Sequence, residues 1–224
     1  MTARRARLRP SRTETRERVL DGAAEAFAER GFHGASLDDI CARAGLTRGA
    51  FHSSFESKED LFFALYDRMV EQVRARIALT LEAVLTAKGP AVEIFAALFF
   101  RDFPIDRNWF LLNAEFTLYA IRQPSAAARL VEHRQRMRDA IAAASDALLA
   151  RAGRVPTLDR DRVARIVLAI SDGGLGQSLI EPERLGPTEL MATSLAPLLA
   201  AFSTPADSLL DDSASEPPGS PREL

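Results

Sequence analysis

The chain has 224 residues, 47% of them hydrophobic and 27% charged, a composition that predicts a globular protein with one or two substantial cores. Its single cysteine, Cys41, excludes an internal disulfide framework and a cysteine-rich zinc site, which suits a reducing compartment. The longest strongly apolar stretch, residues 94–100, is too short to span a bilayer, so we expect a soluble cytoplasmic protein with no membrane partner.

Positive charge is concentrated near the N-terminus. The net charge is −2, yet residues 1–58 hold 11 Arg and Lys residues against eight acidic residues. Five of these arginines fall among residues 1–12, where there is no acidic residue. We therefore expect residues 1–12 to form a disordered basic arm that binds phosphate groups. The alternative is general arginine usage, since arginine outnumbers lysine 27 to 2 in this chain.

Apolar residues recur at helical spacing, and no stretch alternates as a strand does, so the sequence predicts an all-α fold of about nine helices without strands. Ser11 and Glu14 form a capping box at the first helix, and Gly31 is its predicted stop. The predicted helices cover residues 13–30, 36–45, 47–54, 57–86, 90–102, 105–122, 125–152, 158–178 and 187–202.

The third helix differs from its neighbours in charge. Helices one, two and four each begin with a serine cap followed three positions later by an acidic residue, whereas Thr47 is followed by Arg48, Gly49 and Ala50. A helix start without carboxylates favours an anion such as phosphate. Only Gly45 and Leu46 join this helix to the second, as in a helix-turn-helix, so we predict that it faces DNA. The alternative is a solvated polar helix without a partner.

The spacing of apolar residues predicts which sides of these two helices are buried. Ile40, Cys41 and Ala44 share one side of the second helix, and Phe51 and Phe55 share one face of the third. The remaining side chains of the third helix are short or cationic and are expected to point outward: Thr47, Arg48, Ala50, His52, Ser53 and Ser54.

The stretch FHGASLDDICARAGLTRGAFHSSFESKEDL, residues 32–61, resembles the DNA-binding region of the tetracycline-repressor (TetR) family of bacterial transcriptional regulators. The resemblance covers about residues 12–65, with Cys41, Phe51 and His52 standing where Ala, Leu and Tyr are usual. It implies that Arg48 and Ala50 approach base edges, while other residues chiefly hold phosphates. The predicted DNA-binding residues are Ser36, Thr47, Arg48, Gly49, Ala50, His52, Ser53, Ser54 and Lys58.

The resemblance also implies the domains and role of the chain between its two ends, while charge and proline content predict disorder at both ends. The basic arm is followed by a helix-turn-helix domain over residues 13–58, a helical effector-binding and dimerisation domain over 59–202, and a disordered acidic, proline-containing tail over 203–224. We expect a homodimeric repressor that a small molecule releases from a palindromic double-stranded operator. A helical protein-interaction module without effector binding is the alternative.

Aromatic residues cluster in the middle of the chain, where the family binds its effectors. An aromatic-lined cavity suits an apolar or aromatic molecule, although ordinary core packing explains most of these residues equally well. The candidate effector-binding residues are Phe99, Phe103, Trp109, Phe110, Asn113, Glu115, Phe116 and Tyr119.

Apolar stripes mark the last two long helices, which the family pairs across a dimer interface. Gly173, Gly174 and Gly176 interrupt the first of them, which indicates either close helix approach across that interface or a helix break near a ligand. The candidate interface residues are Val163, Ile166, Val167, Ile170, Gly174, Leu195, Leu198, Leu199 and Phe202.

No pattern in the sequence points to catalysis or to a cofactor. Neither a nucleophile with a base nor a pair of acids stands out, and Cys41 is predicted to be buried and inert. The three histidines are not spaced as a metal site, and His133 is expected on a solvated face. We therefore expect a protein that is not an enzyme and has no metal or other cofactor.

Overall fold

The computed structural model describes residues 11–101 and 107–208. Nine α-helices account for most of these residues and confirm the all-α prediction. The basic residues before Ser11, the candidate Phe103 and the acidic residues after Ser208 lie outside the described residues. The elements are α1 (Arg12–Gly34), α2 (Leu37–Ala44), α3 (Arg48–His52), α4 (Lys58–Thr86), α5 (Ala91–Arg101), α6 (Arg107–Arg122), α7 (Pro124–Arg151), β1 (Arg154–Pro156), α8 (Arg160–Ile180), α9 (Glu189–Ala201) and β2 (Ser203–Pro205).

The predicted limits of α1 correspond to real features of its backbone. Ser11 Oγ accepts the Glu14 N–H at 3.1 Å, and the Glu14 carboxylate accepts the Ser11 N–H at 2.7 Å, which completes the capping box. At the predicted stop, Gly31 takes φ 70° and ψ 170°, and the chain makes one further turn to Gly34. The helix therefore bends at Gly31 instead of ending there.

Two short strands correct the prediction that the chain has none. Arg154–Pro156 and Ser203–Pro205 pair antiparallel, so residues expected to open a disordered tail form β2 instead. The Arg154 side chain donates to Ser203 Oγ and to the Ser203 carbonyl, both at 2.7 Å, and Ser203 is buried. A three-residue strand is too short to show the alternation by which strands are recognised in a sequence.

The helices form two compact units. Among the described residues, the first comprises residues 11–72 and 107–134, and the second comprises residues 73–101 and 135–208. In the first unit α1 packs on α2 and α6, and its fully buried side chains include Phe27, Phe51, Phe62 and Phe116. In the second unit α9 packs on α5 and α8, with Leu199 fully buried. The predicted domain limit at residue 58 stays a prediction.

Within the described ranges, α8 is the one helix long and apolar enough to cross a bilayer by length and composition. It packs against α9 in the second unit, and its side chains Val163, Ala164 and Leu175 are buried there. A core helix of a soluble protein passes the same test of length and hydropathy, so α8 is weak evidence for a membrane span.

Candidate nucleic-acid interface

The turn between α2 and α3 is held by backbone geometry and by one long side chain. Gly45 ends α2 in the left-handed conformation, φ 62° and ψ 39°, which glycine adopts without steric cost. The Leu46 N–H donates to the Cys41 carbonyl at 2.9 Å. From α1, Arg18 Nη2 donates to the Ala44 carbonyl at 2.7 Å and to the Gly45 carbonyl at 3.1 Å. No sequence signal indicated this role for Arg18.

The inner side of the helix-turn-helix is apolar, as predicted. Ile40, Cys41 and Ala44 of α2 are buried, and so are Phe51 and Phe55, whose ring centroids lie 5.9 Å apart. Burial raises the pKa of the Cys41 thiol, which keeps the thiol protonated and unreactive. These contacts orient α3 with its opposite side outward.

We define the α3 surface as Thr47, Arg48, Gly49, His52 and Ser53, which are all exposed. Thr47 caps the helix, since its Oγ1 accepts the Ala50 N–H at 3.3 Å. The Ser53 hydroxyl donates to the Ala50 carbonyl at 2.7 Å, and Ala50 itself is partly exposed. The structure thus presents short and cationic groups on one side of the turn, the arrangement expected of a DNA-reading helix.

An acidic residue of the neighbouring helix α2 nevertheless lies beside the start of α3. Asp38, in the first turn of α2, accepts hydrogen bonds from Arg48 Nε and Nη2, both at 2.5 Å. These bonds hold the pKa of the Asp38 carboxyl below its ordinary value. The first turn of α3 lacks carboxylates, as predicted, but its arginine finds one on the neighbouring helix.

Ser36 and Lys58, two of the predicted DNA-binding residues, are already engaged within the protein. Ser36 caps α2, and its hydroxyl donates to the Asp39 carboxylate at 2.7 Å. Lys58 Nζ donates to the Phe32 carbonyl at 2.7 Å and to the Ala35 carbonyl at 2.9 Å, and it lies 4.7 Å from the centre of the Phe32 ring. Burial lowers the pKa of Lys58. Their contact with DNA remains a prediction.

A cavity of about 450 Å³ adjoins the end of α3. Ser54 lines it, and the Ser54 Oγ is buried without a hydrogen-bond partner among the described residues. Arg16 of α1 also lines it and places its guanidinium 4.6 Å from the centre of the Phe55 ring. The sequence did not mark Arg16, because its place beside α3 depends on how α1 packs. The other lining residues are Arg12, Phe55, Glu56, Asp60 and Ala64.

Three candidate effector residues of α6 pack against helices of the first unit. Phe116 is fully buried and stacks on Phe62 with ring centroids 3.7 Å apart. Tyr119 lies against Phe32 at 4.7 Å between ring centroids, and the Glu115 carboxylate accepts the Phe32 N–H at 3.1 Å. For Phe116 the structure therefore supports the alternative of ordinary core packing, and Glu115 joins α6 to α1.

The remaining described candidates are divided between the units. Phe99 belongs to the second unit, where it is buried and stacks on Phe95 with ring centroids 5.4 Å apart. Trp109, Phe110 and Asn113 belong to the first unit and are partly exposed. Their role as effector contacts remains a prediction.

The candidate dimer residues all lie in the second unit, where about half of them are buried within the single chain. A side chain at Gly174 would lie 3.2 Å from Leu190 Cβ, so the close helix approach occurs between α8 and α9 of one subunit. Gly173 is exposed with no such neighbour. The partly exposed candidates, which can still meet a second subunit, are Ile166, Ile170, Leu198 and Phe202.

The arginine-rich sequence around His133 predicted a solvated face for this residue. That prediction is wrong. His133 is buried, its ring stacks on Phe63 with centroids 5.6 Å apart, and its Nδ1 meets the Asp67 carboxylate. The close approach of the two atoms identifies the Asp67 carboxylate as the partner of Nδ1. Among residues 11–101 and 107–208, no cluster of three or more His, Cys, Asp or Glu side chains could hold a metal ion.

Two family models match the chain. The model of bacterial regulatory proteins of the tetR family matches residues 19–65, which contain α2, α3 and the start of α4. The C-terminal model of the BetI-type transcriptional repressors matches residues 90–201, half of the chain.

Known relatives agree with these matches. The chain is 30% identical over 126 residues to the transcriptional repressor AcnR of Corynebacterium diphtheriae, covering 56% of the chain and 60% of AcnR, less than two thirds of that relative. It is 28% identical over 199 residues to the transcriptional regulator UidR of Escherichia coli K12, covering 85% of the chain and 93% of UidR. The fold resembles Bacillus subtilis FadR, a regulator solved with stearoyl-CoA, with TM-score 0.63, 17% identity and coverage of 82% and 96%.

Proposed function

The chain belongs to the TetR family of bacterial transcriptional regulators, and from this premise we propose that it is a cytoplasmic repressor that a small molecule releases from a palindromic operator. The observation that carries the proposal is the helix-turn-helix, in which a buried apolar side leaves the α3 surface exposed. A surface of short and cationic groups can approach the major groove closely. A solvated helix without a partner would not need such a surface.

Within this surface we assign base contact to Arg48 and Ala50. Arg48 is the one long cation of α3, and its guanidinium can donate two hydrogen bonds to the major-groove edge of guanine. Thr47, Gly49, His52 and Ser53 flank it with backbone and side-chain donors that suit phosphate oxygens. Arg16 and Ser54, which line the cavity beside α3, are further candidates for phosphate contact.

Effector binding is the less constrained part of the proposal. FadR was solved with an acyl-CoA, which supports effector binding in this fold and leaves the present effector open. The partly exposed Trp109, Phe110 and Asn113 offer aromatic and polar contacts for an apolar or aromatic molecule. Because Trp109 is the only tryptophan of the chain, its fluorescence reports directly on ligands that bind near α6.

Exchange of Arg48 for alanine separates this proposal from a helical protein-interaction module. The parent protein first selects its operator from a random duplex library. We expect Arg48→Ala to weaken binding to that operator by about 1–3 kcal/mol and to relax preference at particular base pairs, with an unchanged melting temperature. Failure of the folded parent protein to enrich any sequence would favour the interaction module.

Release by a small molecule needs a separate test on the same protein. A thermal-shift screen with Trp109 fluorescence as second readout identifies compounds that bind. A true effector should raise the melting temperature of the free protein and lower its affinity for the selected operator. A compound that binds without changing operator affinity would not be an effector.

A further inference from the structure

Arg48 and Asp38 form an ion pair whose geometry leaves part of the guanidinium free. The two residues lie ten positions apart, on α3 and α2, and Nε and Nη2 of Arg48 each donate to one carboxylate oxygen of Asp38 at 2.5 Å. The pair is solvent-exposed, with 62% of the Arg48 side chain and 68% of the Asp38 side chain accessible. Such an exposed pair contributes little to folding stability, so its geometry invites a functional explanation.

The donors that remain are the ones that can read a base. A guanidinium carries five N–H groups in a planar fork, and Asp38 occupies two of them along the Nε edge. The opposite end keeps the two N–H groups of Nη1 and one of Nη2, for which the described residues supply no acceptor. Two of these three point in parallel, and this spacing matches O6 and N7 of guanine in the major groove.

We propose that Asp38 is a positioning residue for DNA readout, which holds the Arg48 guanidinium side-on so that its free end is directed at a guanine. The inference rests on the proposed function, since it takes α3 as the DNA-reading helix. A free arginine side chain loses rotamer entropy when it docks on a base, and a side chain already held by Asp38 loses less.

The carboxylate has an opposite effect on general affinity. A negative charge beside the α3 surface repels DNA phosphates and therefore weakens binding to every sequence. Asp38 thus lowers affinity for all DNA and increases discrimination between bases, and the two effects can be measured separately. The bonds from Arg48 keep the pKa of Asp38 below its ordinary value, so the carboxyl carries its negative charge at neutral pH.

The experiment uses the full chain and its selected operator. Affinity is measured for the operator, for operators in which single guanines are replaced by 7-deazaguanine or adenine, and for an unrelated duplex at the same salt. For Asp38→Ala we expect about tenfold less discrimination at the guanine that Arg48 contacts, together with tighter binding to the unrelated duplex. Asp38→Asn, which keeps an oxygen acceptor without the charge, should retain part of the discrimination.

Asp21→Ala is the matched control, because Asp21 is also an exposed acid paired with an arginine, at 2.7 Å from Arg68, but it lies on α1. It removes the same charge and should leave guanine discrimination unchanged. Melting curves of all variants confirm that the fold is kept.

Each other outcome has a distinct meaning. Tighter binding of Asp38→Ala to all duplexes with undiminished discrimination shows that Asp38 is only a repulsive charge, and it overturns the proposal. Gain of discrimination shows that Asp38 competes with the base for Arg48, and it overturns the proposal too. If Arg48→Ala also keeps full discrimination, the assignment of Arg48 fails, whereas a parent protein that binds no duplex contradicts the proposed function itself.

Discussion

The contacts that surround Lys58 in the fold decide which role its side chain has. The family resemblance implied that its ammonium holds a DNA phosphate. In the structure the ammonium instead donates to the carbonyls of Phe32 and Ala35, near the end of α1, and lies over the Phe32 ring. A partly buried cation that satisfies two carbonyls is expected to act first on stability.

Replacement of Lys58 by methionine tests this role in stability. Because the change leaves two carbonyls without their donor, we expect the free energy of unfolding to fall by about 1–3 kcal/mol. The measurement is denaturant unfolding, with Lys88→Met as control for loss of the only other lysine, which is exposed. If stability is unchanged and the salt dependence of DNA binding falls by about one unit, Lys58 contacts phosphate as first predicted.

At the scale of the element, α3 is a short helix of five residues with a single cap, Thr47. Its neighbours α1 and α2 each begin with a complete capping box. Among α1 to α4, α3 is the one helix without an acidic residue in its first turn, and its third position is Ala50. On the proposed function, proximity to DNA would explain this absence, since an acid there would face phosphate.

Exchange of Ala50 for glutamate completes the capping box with Thr47 and tests that explanation. We expect the free protein to be as stable as the parent, or more stable by about 0.5–1 kcal/mol, while operator binding collapses. Melting curves and DNA titrations on one sample measure both, and Ala50→Gln controls for size without charge. A variant that melts well below the parent indicates a packing reason, and one that binds normally shows that α3 is not the reading helix.

The adjacent glycines of α8 form a natural matched pair. Gly173 is exposed, and a methyl group there would meet nothing within 4 Å, so Gly173→Ala should raise the free energy of unfolding by about 0.5–1 kcal/mol through helix propensity. At Gly174 the same methyl group would lie 3.2 Å from Leu190 Cβ, so Gly174→Ala should lack that gain or destabilise the protein.

Denaturant unfolding at one protein concentration compares the two variants directly. Equal gains from both would show that the approach of α9 to α8 does not require a glycine. A Gly173→Ala variant that loses dimerisation would instead place Gly173 in the interface between subunits.

At the scale of the whole molecule, we predict a homodimer on DNA. With one reading helix per subunit, the operator should be an approximate palindrome whose half-sites lie one helical turn, roughly 34–36 Å, apart. Sedimentation in solution and titration of the operator measure the two stoichiometries. A monomer at micromolar concentration that binds its operator one-to-one would exclude this arrangement.

A substitution on α8 tests whether the predicted residues form the dimer interface. Ile170 is partly exposed in the single chain, so Ile170→Asp should shift the protein to monomers with little loss of secondary structure. Ala169→Asp, at an exposed neighbouring position, is the control for the added charge. Retention of the dimer by Ile170→Asp would show that α8 meets its partner through other residues, if at all.

The sequence by itself determined the features that depend on near neighbours. The capping boxes at Ser11 and Ser36 act over three positions, and the turn at Gly45 needs one residue in the left-handed conformation. Phe51 and Phe55 lie four positions apart and are both buried, and the Phe55 N–H donates to the Phe51 carbonyl at 3.0 Å just beyond the end of α3. Because these causes are local, the helix-turn-helix could be predicted before any tertiary contact was known.

Only the tertiary structure decided which distant groups meet. Arg48 pairs with Asp38, Lys58 reaches Phe32 across 26 positions, and Glu115 reaches Phe32 across 83. The pairing of Arg154–Pro156 with Ser203–Pro205 depends on the same kind of approach. In a chain with 29 basic and 31 acidic residues, charge complementarity allows many pairings, and only helix packing brings particular partners within hydrogen-bonding distance.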